Sequence, residues 1–402
     1  MQTIVIYSRC LKREIISYII SSIVGMANVS NGSTQPENNN TENIFVVDFR
    51  MYYRYGFEFI LYGYFMPIWT VLNIIIYSTM IHVFAIKGLT SKTHVCLIAL
   101  AISDCVAPVF PSVFWFYFFV VKKEFYYVPF EWCRPFHYLT EVIPRIFTYM
   151  SYFLTITLAV QRYIVIAYPF KANILCSKNM TYIMITASLL SSVIVRLIHF
   201  FHYSYIKYQI QRFDNNITEE ICAFGDPDWL DVEFSRYSAI LQTTHTIIVN
   251  LIPCTVLVVV ECLMVKAVKT HSASRKNLNL NSTMISKIER NEKRLTCTTI
   301  AVTAVLLLYK IPAVIIQILD ILRTMFGVQL VRNAFDLWTT NVVLNIFYWI
   351  CTPSNFVITC CLSQDFRVGL RDVFRRSKSK ERSNVTLQNT TSLPSDTMST
   401  SV

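Results

Sequence analysis

The chain has 402 residues, 54% of them hydrophobic and only 15% charged, with a mean hydropathy of +0.44. A soluble domain carries about 25% charged residues, so this composition excludes a string of soluble domains and points to the membrane. The formal charge of +11 does not argue for nucleic acid, because the basic residues gather between apolar runs.

The 28 Phe and 23 Tyr suit rings that anchor helices at membrane interfaces. No glycine-rich phosphate loop, zinc-type Cys/His spacing or catalytic serine elbow occurs. No enzyme activity, cofactor or metal is therefore expected.

Residues 1–27 read two ways. Arg9, Lys12 and Arg13 precede the short apolar run IISYIISSIVG, as in a signal peptide cleaved after Ala27. Glu14 and the serines fit an uncleaved, disordered leader equally well. The polar stretch that follows, to residue 56, is expected to lie outside, with glycosylation sequons at Asn28, Asn31 and Asn39.

Seven apolar segments come next, at about 57–84, 95–120, 136–167, 180–201, 237–265, 295–322 and 335–362. About 20 apolar residues cross the hydrocarbon layer as a helix, so the spacing predicts an all-α membrane protein, a seven-helix bundle over 57–365. An odd number of spans puts the two ends of the chain on opposite sides. Lys266, Lys269, Arg275, Lys276, Lys287, Arg290, Lys293 and Arg294 lie between the fifth and sixth segments, and Arg367, Arg371, Arg375 and Arg376 follow the seventh. The segment between the fourth and fifth is acidic, from Asp214 to Glu233. Positive residues stay inside, which predicts an exterior N-terminus and a multi-pass protein of the plasma membrane.

Of twelve cysteines, Cys133 and Cys222 alone fall in predicted exterior segments once the leader with Cys10 is set aside. A disulfide between them is permitted in that compartment; two free thiols is the alternative. Asn216 becomes a further glycan site.

The third segment ends SYFLTITLAVQRYIVIAYPF. An unpaired charge at membrane depth costs at least ~2.5 kcal/mol, so Arg162 belongs at an end of the span, facing the cytoplasm. LAVQRYIVIAYPF, and FYWICTPSNFVI in the seventh segment, resemble rhodopsin-like G-protein-coupled receptors. More narrowly they resemble invertebrate FMRFamide- and myosuppressin-type peptide receptors, which group with the serpentine class W set. The resemblance covers roughly 57–376.

The resemblance implies a role for particular positions. Asn73 matches the family's helix-one asparagine, Asp104 its helix-two acid, and Arg162-Tyr163 the end of its Asp/Glu-Arg-Tyr motif. Pro253, Pro312 and Pro353 match the prolines of helices five to seven, and Phe356 stands where a tyrosine is usual. Gln161 replaces the acid beside the arginine, Thr352 replaces an asparagine, and Lys310 stands where a tryptophan is expected. Cys133 lies 29 positions before Arg162, about one turn more than is usual. Arg162 and Glu292 are expected to pair in the resting state, while Pro253 and Pro312 form hinges. Asp104, with Asn73 and Ser151, forms a core polar site that holds sodium in the family; here a Lys310–Asp104 pair, direct or through water, is favoured instead.

Ligand candidates in the upper bundle are Glu141, Arg145, Arg196, His245, Gln317, Asp320, Trp338 and Asn341. Of the carboxylates, Glu141, Asp320 and Asp336 would suit the arginine of an amidated Arg-Phe peptide. Residues 366–376 place Phe366, Leu370 and Phe374 on one face, a short amphipathic helix on the inner membrane surface. The tail 377–402 is expected to be disordered, rich in Ser and Thr for phosphorylation and arrestin, and its Thr400-Ser401-Val402 end fits a PDZ domain.

The expected function is a receptor that turns peptide binding outside into nucleotide exchange on a heterotrimeric G protein inside. The alternatives are a chemosensory receptor for an environmental ligand and a transporter. No internal repeat supports the last.

Overall fold

The computed structural model describes residues 45–46, 60–86, 92–123, 127–211, 218–225, 227, 229, 234–276, 283–326, 334–363, 366–373 and 375, all within one compact unit, Ile44–Val402. The sequons at Asn28, Asn31, Asn39 and Asn216 and the tail beyond 375 lie outside them, as do the side chains of Glu292, Asp336, Trp338 and Asn341.

Seven helices are long and apolar enough to cross a membrane: α1 Ile60–Ala85, α2 His94–Lys122, α3 Phe130–Ala167, α4 Lys178–Phe200, α5 Tyr237–Thr270, α6 Arg294–Leu322 and α7 Val343–Leu362. Helices are what such segments must form, since each backbone N–H and C=O needs a partner away from water. The bundle buries hydroxyls and charges beside its apolar core clusters, while its exterior is apolar. On α4, Thr181, Ser188 and Ser192 are buried, whereas Leu190 and Ile194 are 55% and 69% exposed. Lipid rather than water suits such an exterior, and small hydroxyl residues let helices approach closely.

Several helices depart from regular winding. π turns occupy Ile60–Phe65, Tyr117–Lys122, His137–Val142 and Thr246–Leu251. The turn at His137–Val142 takes up part of the surplus length between Cys133 and Arg162, because a π turn holds an extra residue. α6 is the spanning part of a 44-residue helix, Thr283–Phe326, with Pro312 inside it. α7 breaks at Thr352 and Pro353 and resumes as Ser354–Leu362.

Between α4 and α5 the described residues form two paired strands, β2 (Ser204–Gln211) and β3 (Thr218–Gly225), the second carrying Glu219 and Glu220 of the acidic segment, and β1 (Phe45–Val46) adds to this hairpin in the order β1-β3-β2, all antiparallel. Alternating Tyr205, Lys207 and Gln209 against the β-branched Ile206 and Ile210 gives β2 the period of a strand. A disulfide joins Cys222 of β3 to Cys133 at the start of α3, and the Cys222 N–H donates to Val128 O at 2.7 Å. Around this anchor Phe114, Trp115, Phe118, Phe119, Phe136 and Phe224 form an aromatic core. This is the hairpin end of the bundle.

At the opposite end a short helix, α8, covers 366–373. Its apolar face was expected on the membrane surface. Phe366 is instead wholly buried, with ring centroids 5.2 Å from Phe84 of α1 and 5.8 Å from Phe356 of α7, and Leu370 packs on the same cluster. The bundle's own cleft offers these side chains a closer-packed partner than lipid does. Phe374 lies outside the described residues.

Candidate functional site

Three polar levels lie along the bundle. In the middle, the Asp104 carboxylate of α2 is buried and accepts hydrogen bonds from Ser151 of α3, from Asn355 of α7 at 3.1 Å and, at 3.3 Å, from Tyr77 of α1. Tyr77 has one hydrogen to give and lies closer to Thr352 O, at 2.6 Å, so its bond to Asp104 is the weaker. A cavity of about 30 Å³ adjoins, lined by Asp104, Ser151, Thr155, Tyr309, Tyr348 and Asn355 among others. Asn73, expected to assist Asp104, does not reach it. Its amide donates to Trp69 O at 2.8 Å within α1, and its amide oxygen has no hydrogen-bond partner.

Lys310 also departs from expectation. No Lys310–Asp104 pair forms: the ammonium donates to Asn250 Oδ1 of α5 at 3.1 Å and stands 4.5 Å from the ring centroid of Tyr152 of α3. The reason lies in α5, where the π turn Thr246–Leu251 changes the register and Asn250 is buried in the bundle. An amide oxygen and a ring face together offset part of the ~2.5–3.5 kcal/mol a mid-membrane ammonium costs. The cavity beside Asp104 is lined by carboxylate, hydroxyl and amide groups together with Val302, Val305 and Leu306, with no ammonium among them.

At the end away from the hairpin, Arg162 is 3% exposed and Gln161 4%. Gln161, which stands where an acid was expected, turns to α4 and donates to Thr181 Oγ1 at 3.4 Å. Tyr163 meets Tyr168 edge-on, with centroids 6.2 Å apart. The Glu292 side chain lies outside the described residues, so its pairing with Arg162 stays an expectation. An acid overlooked in the fifth apolar run, Glu261, accepts a hydrogen bond from Thr303 and ties α5 to α6. Pro312 and Pro353 sit in α6 and at the break of α7, and Phe356 packs on α8.

At the hairpin end, Glu141 and Arg145 form an ion pair one turn apart on α3. Arg196 of α4 is 2% exposed and donates to the Glu141 main-chain oxygen at 3.3 Å. His245 of α5 is hydrogen-bonded to the Tyr149 hydroxyl at 2.7 Å, and its ring centroid is 5.9 Å from that of His199. Gln242 donates to Asp320 at 2.9 Å, joining α5 to α6. Above them His202 meets Tyr203 edge-on, 4.3 Å between centroids; burial first, then the Arg196 charge, pushes its pKa down to about 4. Trp338 and Asn341 lie outside the described side chains.

The structure thus adds Tyr77, Asn250, Glu261 and Asn355 to the expected set. Two carried a readable signal: Tyr77 follows Asn73 by four residues, on the same helix face, and Glu261 is an acid inside an apolar run.

The same arrangement has known relatives. The family model for the serpentine type 7TM GPCR chemoreceptor Srw matches residues 64–377. The chain is 26% identical over 324 residues to the Sex peptide receptor of Drosophila melanogaster, covering 78% of this chain and 72% of that protein. It is 22% identical over 330 residues to Sex peptide receptor-related protein 2 of Caenorhabditis elegans, covering 79% and 72%. The match takes in all seven spans, the Asp104 and Arg162 levels and α8, and the chain belongs to the Srw family of seven-transmembrane G-protein-coupled receptors.

Proposed function

We propose that this receptor binds an extracellular peptide at the hairpin end and activates a heterotrimeric G protein at the Arg162 end. One observation carries the reading. α3 joins a polar layer at the hairpin end (Glu141, Arg145, Tyr149) to a buried arginine at the other, with α6, which carries Pro312 within it, beside it. A group bound in the upper layer bears on α6, and a shift of α6 bears on the surroundings of Arg162. The names of the relatives, Sex peptide receptor and Sex peptide receptor-related protein 2, support a peptide as ligand.

In this reading the N-terminus and hairpin are exterior and the basic segments cytoplasmic, as the positive-inside bias favours, and a receptor for an extracellular ligand lies in the plasma membrane. Asp320 and Asp336 remain as rim carboxylates for a basic residue of the ligand, since the Glu141 carboxylate is held by Arg145. Arg162 and Glu292 close the resting state, and Pro312 serves as a hinge. The tail 377–402 recruits arrestin and a PDZ domain, and α8 seats the bundle at the lipid headgroups. The test is a panel of neuropeptides, both amidated and with free C-termini, on cells carrying the receptor and a promiscuous G protein. A response confined to peptides supports the reading, and silence to every peptide overturns it. Glu292→Ala should raise basal signalling; an unchanged baseline removes the Arg162–Glu292 closure.

The family description names chemoreceptors, which supports a second reading: an environmental ligand at the same site. Activation by small odorants and by no peptide would favour it.

A further inference from the structure

The interior of the hairpin end holds more positive than negative charge. Lys310 and Arg196 are 9% and 2% exposed, and neither has a carboxylate partner among the described residues. Lys310 gives one ammonium hydrogen to Asn250, although an ammonium has three to give. Arg196 donates to a main-chain oxygen, and its Nε has no hydrogen-bond partner in the protein. The one acid of this part of α3, Glu141, is already paired with Arg145.

These groups share one polar face. Tyr149 with His245 forms one level, and Tyr152 with Lys310 and Asn250 forms the next level inward, three residues along α3 and one π turn along α5. His199 of α4, three residues from Arg196, adjoins the outer level through His245. On α6, Gln317 lies two turns from Lys310 toward the hairpin, with a buried amide oxygen that has no partner. Asp320, three residues further, bonds Gln242. Buried polar atoms without partners call for an explanation; the Gln317 oxygen is an acceptor, whereas the Arg196 Nε–H and the spare ammonium hydrogens of Lys310 are donors on buried cations.

We propose that this face is the inner part of the ligand site and that it takes a carboxylate, received by the Lys310 ammonium, with Arg196 above it. The inference rests on the peptide reading and adds the charge of the buried end. The carboxylate belongs either to an acidic side chain or to an unamidated C-terminus. Asn250 and Tyr152 hold Lys310 in its absence. A carboxylate arriving there offers a charged acceptor in place of a neutral one, and charge-assisted hydrogen bonds are roughly twice as strong.

Three pools of random hexapeptides test this on the full-length receptor in cells, with signalling as the readout. The first pool has a free C-terminal carboxylate and no Asp or Glu. The second is amidated with Asp or Glu in its last two positions, and the third is amidated and free of acids. One of the first two should act at concentrations at least about tenfold lower than the third, and which one does so identifies the carboxylate's source. Lys310→Arg should keep that preference and Lys310→Met should erase it. Arg196→Gln, checked for display at the cell surface, should weaken it and provides a second reading of the site. Equal potency of the neutral pool, a preference that survives in displayed Lys310→Met receptor, or one that is undiminished in displayed Arg196→Gln receptor overturns the proposal while the peptide reading stands. Inactivity of all three pools overturns both.

Discussion

Asp104 sits where three other helices aim donors, so its substitution is a test of chemistry rather than of size. Asp104→Asn keeps the shape but presents amide hydrogens to Ser151 and Asn355, which also donate. Losing one such bond is worth about 1.4 kcal/mol, or tenfold in response. Adding Asn355→Asp should restore much of it by reversing donor and acceptor; losses that simply add would refute the pairing. His202, outside the spans, offers a pH test. Its lowered pKa means that the folded state favours the neutral ring, so its contribution is complete above about pH 6.5 and fades as pH falls toward 4. The melting temperature of the purified receptor should drop across that window, and His202→Gln should flatten part of the drop. At this scale the sequence displays charge but not direction. Asp104 and Arg162 stand out because they interrupt apolar runs. That Lys310 turns to Asn250 was not readable, because it depends on a π turn in α5 that leaves no mark in residue type.

Among the elements, the hairpin and α8 carry the clearest consequences. The Cys133–Cys222 bridge closes a sequence separation of 89 residues, and the chain-entropy model assigns such a bridge roughly 4–5 kcal/mol. Either cysteine changed to Ser should cut the surface-displayed fraction several-fold, and the double variant should be no worse than either single one. A double variant that is clearly worse would mean that the two thiols act separately. Phe366→Ala removes a fully buried ring from between Phe84 and Phe356 and should cost about 3 kcal/mol of stability, read as a lower melting temperature. An unchanged melting temperature would place that ring in lipid after all. The helices themselves were legible within a few residues, since twenty apolar positions have one solution in a bilayer. The hairpin was not, because β3, with Glu219 and Glu220 and no two-residue alternation, becomes a strand only where β1, β2 and the disulfide hold it.

For the whole molecule, the proposed function makes the bundle a lever between the outer two of its three polar levels. Its exterior is apolar, its hydroxyls and charges are interior, and the basic segments lie beyond the Arg162 end. A C-terminal tag should accordingly stay hidden on intact cells and become accessible on permeabilisation. The central claim, that ligand binding at the hairpin end drives a G protein through Arg162, is tested most directly by nucleotide exchange. Purified full-length receptor is combined with purified heterotrimeric G protein, and exchange is followed with and without the active peptide pool. The account predicts faster exchange with peptide and its loss in Arg162→Ala, with peptide binding retained. Exchange that stays at the rate of the G protein alone while peptide binds, or that is undiminished in Arg162→Ala, would contradict it.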